Sequence, residues 1–185
     1  MSKPGETVGV LLAAGAGTRY GMPKVLVGER EWLRLAVAAL VEGGCDDVVV
    51  VLGAAVVDVP APARAVIARR WSDGMSASLR AGLAAAAGAQ RVVLHLVDTP
   101  DVGADVVRRV LAAVDRSPSG LVRTTYDGTP GHPVVIDAQH WPELVGSLSG
   151  DQGARRFLSA HSADVVVVEC GDLATGTDRD FPPEG

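Results

Sequence analysis

Arg19, Lys24, Asp98 and the pair Asp178 and Asp180 are the residues whose types and placing suggest chemistry. Arg19 and Lys24 close the stretch VGVLLAAGAGTRYGMPK, Val8–Lys24, in a chain of formal net charge −5. Gly15, Gly17 and Gly21 in that stretch allow tight turns and present bare N–H groups, the makings of an anion cradle. Two cations beside such a cradle point to a polyphosphate. A plain strand-exit turn is the structural alternative. Lys24 and Lys3 are the only lysines among 17 basic residues. A compact ammonium fits between phosphate oxygens where a planar guanidinium does not.

Asp98 sits in LVDTPDV, at the end of an apolar run. A carboxylate there is costly to bury without a partner, and Pro100 stiffens the turn that aims it. Its chemistry suits a Mg²⁺ ligand, hard oxygen for a hard cation that bridges substrate phosphates. Helix capping is the other reading, and Asp101 suits that role better. A second carboxylate is needed opposite Asp98, and Asp178 and Asp180 are the close pair near the carboxyl end.

The loop does not match the two commonest phosphate-binding patterns. Its glycines run G-x-G-x-x-x-G, Pro23 follows closely, and the second apolar run ends VVVLG with no carboxylate for a ribose hydroxyl. An NAD-binding module is therefore disfavoured, and without a GK[ST] ending the loop is not a Walker A motif.

These residues need a scaffold, and the chain supplies alternating β and α patterns. Val8–Leu12, VVVVL after Asp47, and Arg91–Val97 are continuous apolar runs, as in strands covered on both faces. A short strand at Arg64–Ala68 and further strands near Gly120–Thr124, Pro133–Ile136 and Val165–Val168 complete the set. Helical spacing covers Trp32–Val41, Met75–Ala87, Ala104–Val114 and Gln152–Ala160, the last opened by Asp151. The fold class this predicts is α/β, a mostly parallel central sheet in three layers. Ligands bind such sheets at the carboxyl ends of the strands, which brings the loop after Leu12 and the residues after Val97 to one edge.

Three further segments carry polar residues. WSDGMSASLRAGL reads as a turn and helix start, with Ser72 or Asp73 as cap and Ser76, Ser78 and Arg80 solvated or capping. GTPGHPVVI holds His132 in a rigid loop before a strand. In GDQGARR, Asp151 is the expected N-cap, and Arg155 and Arg156 form a solvated face or an anion contact.

The bulk numbers bound the rest. At 185 residues and 48% apolar, positions 1–185 suit one globular domain. The acidic balance speaks against a broad nucleic-acid face. Cys45 and Cys170 stand alone, which argues against a disulfide framework or zinc site and fits a reducing, cytoplasmic setting. No apolar run approaches the roughly 20 residues of a membrane span, and MSKPGET lacks the features of a signal peptide.

Taken together and in order, LAAGAGTRYGMPK, WSDGMSASLRAGL, LVDTPDV, GHPVV, GDQGAR and DRDFPPE resemble the molybdenum cofactor cytidylyltransferase branch of the MobA-like nucleotidyltransferases. The resemblance spans nearly the whole chain. It implies a Rossmann-like nucleotidyltransferase fold and a cytoplasmic, Mg²⁺-dependent enzyme that moves CMP from CTP to the phosphate of molybdopterin and releases pyrophosphate. It implies Arg19, Lys24 and Asp98 as catalytic residues, with Asp98 and Asp180 holding the metal. Nucleotide binding falls on Leu12, Ala13, Ala14, Gly15, Ala16, Gly17, Arg19, Lys24, Met75, Ser76 and Ser78. The acceptor falls on His132, Asp151 and Arg155, and a molybdenum hydroxylase is the implied recipient of the product. Ala14 stands where guanylyl-transferring relatives carry glycine, which favours CTP over GTP. Tyr20, Thr99 and Pro183-Glu184 depart from the commoner residues. The alternatives are a nucleotidyltransferase acting on GTP or on another phosphate acceptor such as a sugar phosphate, and a non-catalytic protein that delivers cofactor.

Overall fold

The computed structural model describes residues 5–181; the Pro183-Glu184 departure lies outside them. Seven strands form one sheet in the order β3-β2-β1-β4-β6-β5-β7. They are β1 Thr7–Leu12, β2 Asp47–Leu52, β3 Arg64–Ile67, β4 Arg91–Leu96, β5 Leu121–Tyr126, β6 Thr129–Asp137 and β7 Val166–Glu169. The helices are α1 Val27–Gly43, α2 Met75–Ala85, α3 Ala104–Val114, α4 Trp141–Ser147 and α5 Arg155–Ala160. β3, β2, β1 and β4 are parallel, β6 is antiparallel to both its neighbours, and β7 is parallel to β5.

The period-2 alternation of a strand sends successive side chains to opposite faces. Val8, Val10 and Leu12 pack with Leu79 and Leu83 of α2, Leu144 of α4 and Phe157 of α5. Leu11, Val48 and Val50 pack on the other face with Leu33, Val37 and Leu40 of α1 and Val107 and Val110 of α3. Both faces are covered, so a strand such as β1 must be apolar at nearly every position. This is the expected three-layer α/β class.

The chain winds from β1 outward through β2 to β3, then returns to place β4 on the other side of β1. The crevice at that reversal, beyond the strands' carboxyl ends, is where an open α/β sheet binds ligand. Leu12 pairs with Leu96 in register, so the glycine loop and Asp98 leave the sheet side by side.

Several boundaries differ from the sequence pattern, each for a local reason. α1 is assigned from Val27 rather than Trp32, although Gly28, Glu29 and Arg30 take left-handed backbone angles. β5 and β6 form a hairpin about Asp127-Gly128, both at positive φ, the dipeptide that suits such a turn. Their strands therefore reach farther toward each other than the apolar runs indicate. α4 was not anticipated: seven residues are too few for a helical period to stand out, and its cue is Pro142 in the first turn. The helix expected from Gln152 starts at Arg155, with Ala154 at its N-cap. Gly150 and Gly153 are both left-handed, which keeps the segment before it out of the helix.

After β7 the chain from 171 to 181 has no regular structure and runs back across the sheet's carboxyl edge. Arg109 pairs with Asp172. Thr175 donates to Asp101 from its N–H and its hydroxyl at 2.7 and 2.6 Å. Arg179 N–H donates to the Asp98 carbonyl at 2.9 Å. Asp101 is thus a structural anchor of this strap, and α3 begins after Gly103 instead. Among the described residues no helix is long and apolar enough to cross a membrane. Cys45 and Cys170 are both buried and unpaired.

Candidate active site

A cleft of about 370 Å³ opens at the reversal point. Its walls are the loop from Leu12 to Tyr20, the turn Trp71–Met75 with Ser78 of α2, the end of β4 with Asp98, and Asp151, Lys24 and Asp180. Of the residues that the resemblance assigns to nucleotide binding, Leu12, Ala13, Ala14, Gly15, Ala16, Gly17, Arg19, Lys24, Met75 and Ser78 line this cleft.

The loop keeps its shape through specific backbone contacts. Gly17 has φ +61, and a Cβ there would lie 1.9 Å from the Met22 carbonyl oxygen. The Gly21 N–H donates to the Gly17 carbonyl at 2.8 Å, closing the turn that returns the chain to Lys24. At Gly15 an added Cβ would meet nothing within 4 Å. The backbone there faces open space, so a ligand can approach it closely.

At one end of the cleft the charges form a compact array. Lys24 Nζ donates to Asp98 Oδ2 at 2.7 Å and to Asp180 Oδ1 at 2.8 Å. Arg19 Nη1 donates to Asp180 Oδ2 at 2.7 Å. Burial works against the Lys24 charge, but the hydrogen bonds to Asp180 and Asp98 outweigh it and raise its pKa. The Lys24 hydrogen bond holds Asp180 below the usual carboxylate range. Asp178, close by, is pushed the other way by burial and by the charges of Asp98 and Asp180. Asp180, not Asp178, makes the direct contacts to Lys24 and Arg19.

The donor set fits a divalent cation bound together with substrate. Asp98 Oδ1 is buried without a hydrogen-bond partner, a free hard-oxygen ligand beside a second carboxylate. Among the described residues no group of three His, Cys, Asp or Glu side chains forms a complete metal site. Two carboxylates leave positions for phosphate oxygens and water, the usual arrangement for Mg²⁺.

Other predicted residues fall elsewhere. Ser76 is 5% exposed and its Oγ has no partner; it lines a neighbouring groove instead of the cleft, because α2 turns it away from Ser78. Asp151 does not cap α5. Its Oδ1 accepts from Met75 N–H at 3.3 Å, so it caps α2 across the chain and lines the cleft.

His132 lies in β6, outside the cleft lining, within electrostatic reach of Asp98 and Arg123. Burial lowers its pKa to about 4, so it is neutral at pH 7. Arg155 begins α5, and its charge acts with burial to lower the pKa of Arg123. Arg123, on β5 opposite Val134, was absent from the sequence reading. Its only sequence cue is a charge inside an apolar run, LVRTTY. Trp71 and Ser72 also line the cleft, where the sequence pattern suggests a turn and a helix cap; the aromatic in WSDG is the available signal.

A glycine loop and a Lys–Asp–Asp array at the switch point of a mostly parallel sheet define a nucleotidyltransferase. The chain belongs to the MobA-like NTP transferase family, whose domain matches residues 9–165. It is 40% identical over 187 residues to nicotine blue oxidoreductase of Paenarthrobacter nicotinovorans, covering 93% of this chain and 91% of that one. The crystal structure of Rv0371c from Mycobacterium tuberculosis superposes with a TM-score of 0.75 at 25% identity, over 94% of this chain and 93% of that chain. A nucleotidyl transferase from Methanothermobacter thermautotroptrophicus shares the fold, with a TM-score of 0.76 at 19% identity over 95% and 92% of the two chains.

Proposed function

We propose that this enzyme transfers CMP from CTP to the phosphate of a molybdopterin-type acceptor and releases pyrophosphate. The observation that carries the reading is the junction of Lys24, Arg19, Asp98 and Asp180 with the bare Gly15–Gly17 backbone in one cleft. A phosphate nucleophile is already anionic, so the reaction needs charge neutralisation and in-line positioning more than a strong base. The N–H groups about Gly15 and Gly17 cradle the β- and γ-phosphates. Arg19 and Lys24 turn from their carboxylate partners to the triphosphate and stabilise the charge that builds on the leaving pyrophosphate. Asp98 and Asp180 would hold Mg²⁺, which supplies further neutralisation of the phosphate oxygens. A structure of the Mycobacterium tuberculosis relative is a complex with manganese, which supports a divalent cation in this reading.

Ala14 at the cleft wall favours CTP over GTP, in line with the resemblance. On the acceptor side, Arg123 lies within electrostatic reach of both Arg155 and neutral His132, a pair of cations suited to an anionic acceptor. A molybdenum hydroxylase receives the product in this scheme, and the reactions are cytoplasmic. The deciding experiment offers CTP, GTP and UTP with Mg²⁺, with and without the pterin phosphate, and follows pyrophosphate. Release that requires both CTP and the pterin supports the proposal. Release only with a sugar phosphate would overturn the acceptor assignment.

The 40% identical relative favours a second reading, an oxidoreductase acting on nicotine blue. The cleft weighs against a nicotinamide dinucleotide in the familiar pose, since β2 ends at Leu52 and Gly53 with no carboxylate for a ribose. Redox turnover of nicotine blue with a supplied electron donor, without pyrophosphate release, would favour this second reading.

A further inference from the structure

The cleft has two chemically different ends. One holds Arg19, Lys24, Asp98 and Asp180; the other is built from Trp71, Ser72, Gly74, Met75 and Ser78, with Asp151. If the charged end takes the triphosphate, as proposed above, the other end takes the base. Among the described residues that line it, Asp151 is the only acidic or basic side chain at that end. A carboxylate is acceptor-only, so facing a base it rewards an amino group and repels a carbonyl oxygen.

Its position is fixed from several sides. Asp151 Oδ1 accepts from Met75 N–H at 3.3 Å. Gly150 carbonyl accepts from Ser76 N–H at 3.0 Å. Gly74, at φ +105, lies so close that a Cβ there would come within 2.5 Å of Asp151 Oδ1. The loop Gly150–Asp151 is therefore docked against the first turn of α2. Oδ1 is engaged by the helix, and Oδ2 has no hydrogen-bond partner among the described residues.

We infer that Asp151 reads the nucleobase: its free carboxylate oxygen accepts from the exocyclic amino group of cytosine and discriminates against uracil, which presents a carbonyl oxygen at the same ring position. The assignment rests on the nucleotide reading of the cleft and extends it from the triphosphate to the base. It also accounts for a carboxylate in a cleft that otherwise must attract an anion, since the amino group offsets the repulsion only for the right base.

Asp151→Asn separates base reading from helix capping. The amide oxygen can keep the Met75 N–H, which leaves the NH₂ turned to the cleft. That donor opposes the cytosine amino group and matches the uracil carbonyl. Isothermal titration of wild type and variant with CTP and UTP, in the presence of Mg²⁺, should show a wild-type preference for CTP. The variant should lose about 10- to 100-fold of that preference, the range of one hydrogen bond to a charged group, and gain affinity for UTP. Asp151→Ala, with folding checked by circular dichroism, should lose the preference without the gain for UTP. An unchanged CTP-to-UTP ratio in folded Asp151→Asn that still binds CTP would overturn the inference while sparing the nucleotide reading. Failure of the wild type to bind any nucleotide would overturn both.

Discussion

Replacing Lys24 by methionine keeps the length of the side chain and removes its charge. Asp98 Oδ2 and Asp180 Oδ1 each lie within 2.8 Å of Lys24 Nζ, so the two oxygens are at most about 5.5 Å apart. Two unit charges at that separation repel by ~3 kcal/mol at an effective dielectric of about 20. Water screens part of this, because the Asp98 and Asp180 side chains are 20% and 29% exposed; about 2 kcal/mol remains. In a domain of this size that corresponds to a fall of about 4–8 °C in Tm. The carboxylates left without Lys24 become a better site for a divalent cation, so millimolar MgCl₂ without nucleotide should restore more Tm in Lys24→Met than it adds to wild type. Differential scanning fluorimetry at low and moderate ionic strength reads both effects. A Tm within 1 °C of wild type, together with an equal response to MgCl₂, would refute the idea that Lys24 neutralises two otherwise opposed carboxylates.

Asp98→Asn should leave the fold intact and lower pyrophosphate release by about 10²–10³; turnover close to wild type would remove Asp98 from the chemistry. Gly17→Ala should disrupt the loop, since its Cβ would lie 1.9 Å from the Met22 oxygen; loss of CTP affinity with the far-UV circular dichroism of the rest retained is the expected result. Burial lowers the pKa of His95 to about 3, and neither ring nitrogen has a partner. Below about pH 6.5 the unfolded chain binds a proton that the folded chain refuses, so stability present at pH 7 is lost as pH falls. His95→Leu should abolish roughly 2 kcal/mol of the loss between pH 7.5 and 5, measured by urea unfolding at each pH.

The sequence shows the layers plainly because burial on both faces forces β1, β2 and β4 to be apolar at most positions. It shows the charged end of the cleft because Arg19 and Lys24 close the glycine loop after β1 and Asp98 follows β4, and the topology brings the two strand ends together. It does not show the role of Asp151. An aspartate ahead of a helical pattern is the ordinary N-cap signal, and nothing local reveals that the helix it caps is α2, 76 positions away from it in sequence at Met75. Ser76 and Ser78 were equally ambiguous, since only the packing of α2 on the sheet decides that Ser78 lines the cleft and Ser76 does not. Arg123 was hidden for a related reason: a single charge in a strand acquires meaning only when β6 and α5 bring His132 and Arg155 beside it.

Movement of a nucleotidyl group in the cleft is the step on which the mechanism turns. The most direct measurement follows the α-phosphorus label of [α-³²P]CTP in the presence of Mg²⁺ and pterin phosphate. Label should appear on the pterin product with pyrophosphate released in equal amount, both lowered about 10²–10³ in Asp98→Asn. Label that stays on CTP while the same preparation turns over nicotine blue in a redox reaction would rule out nucleotidyl transfer.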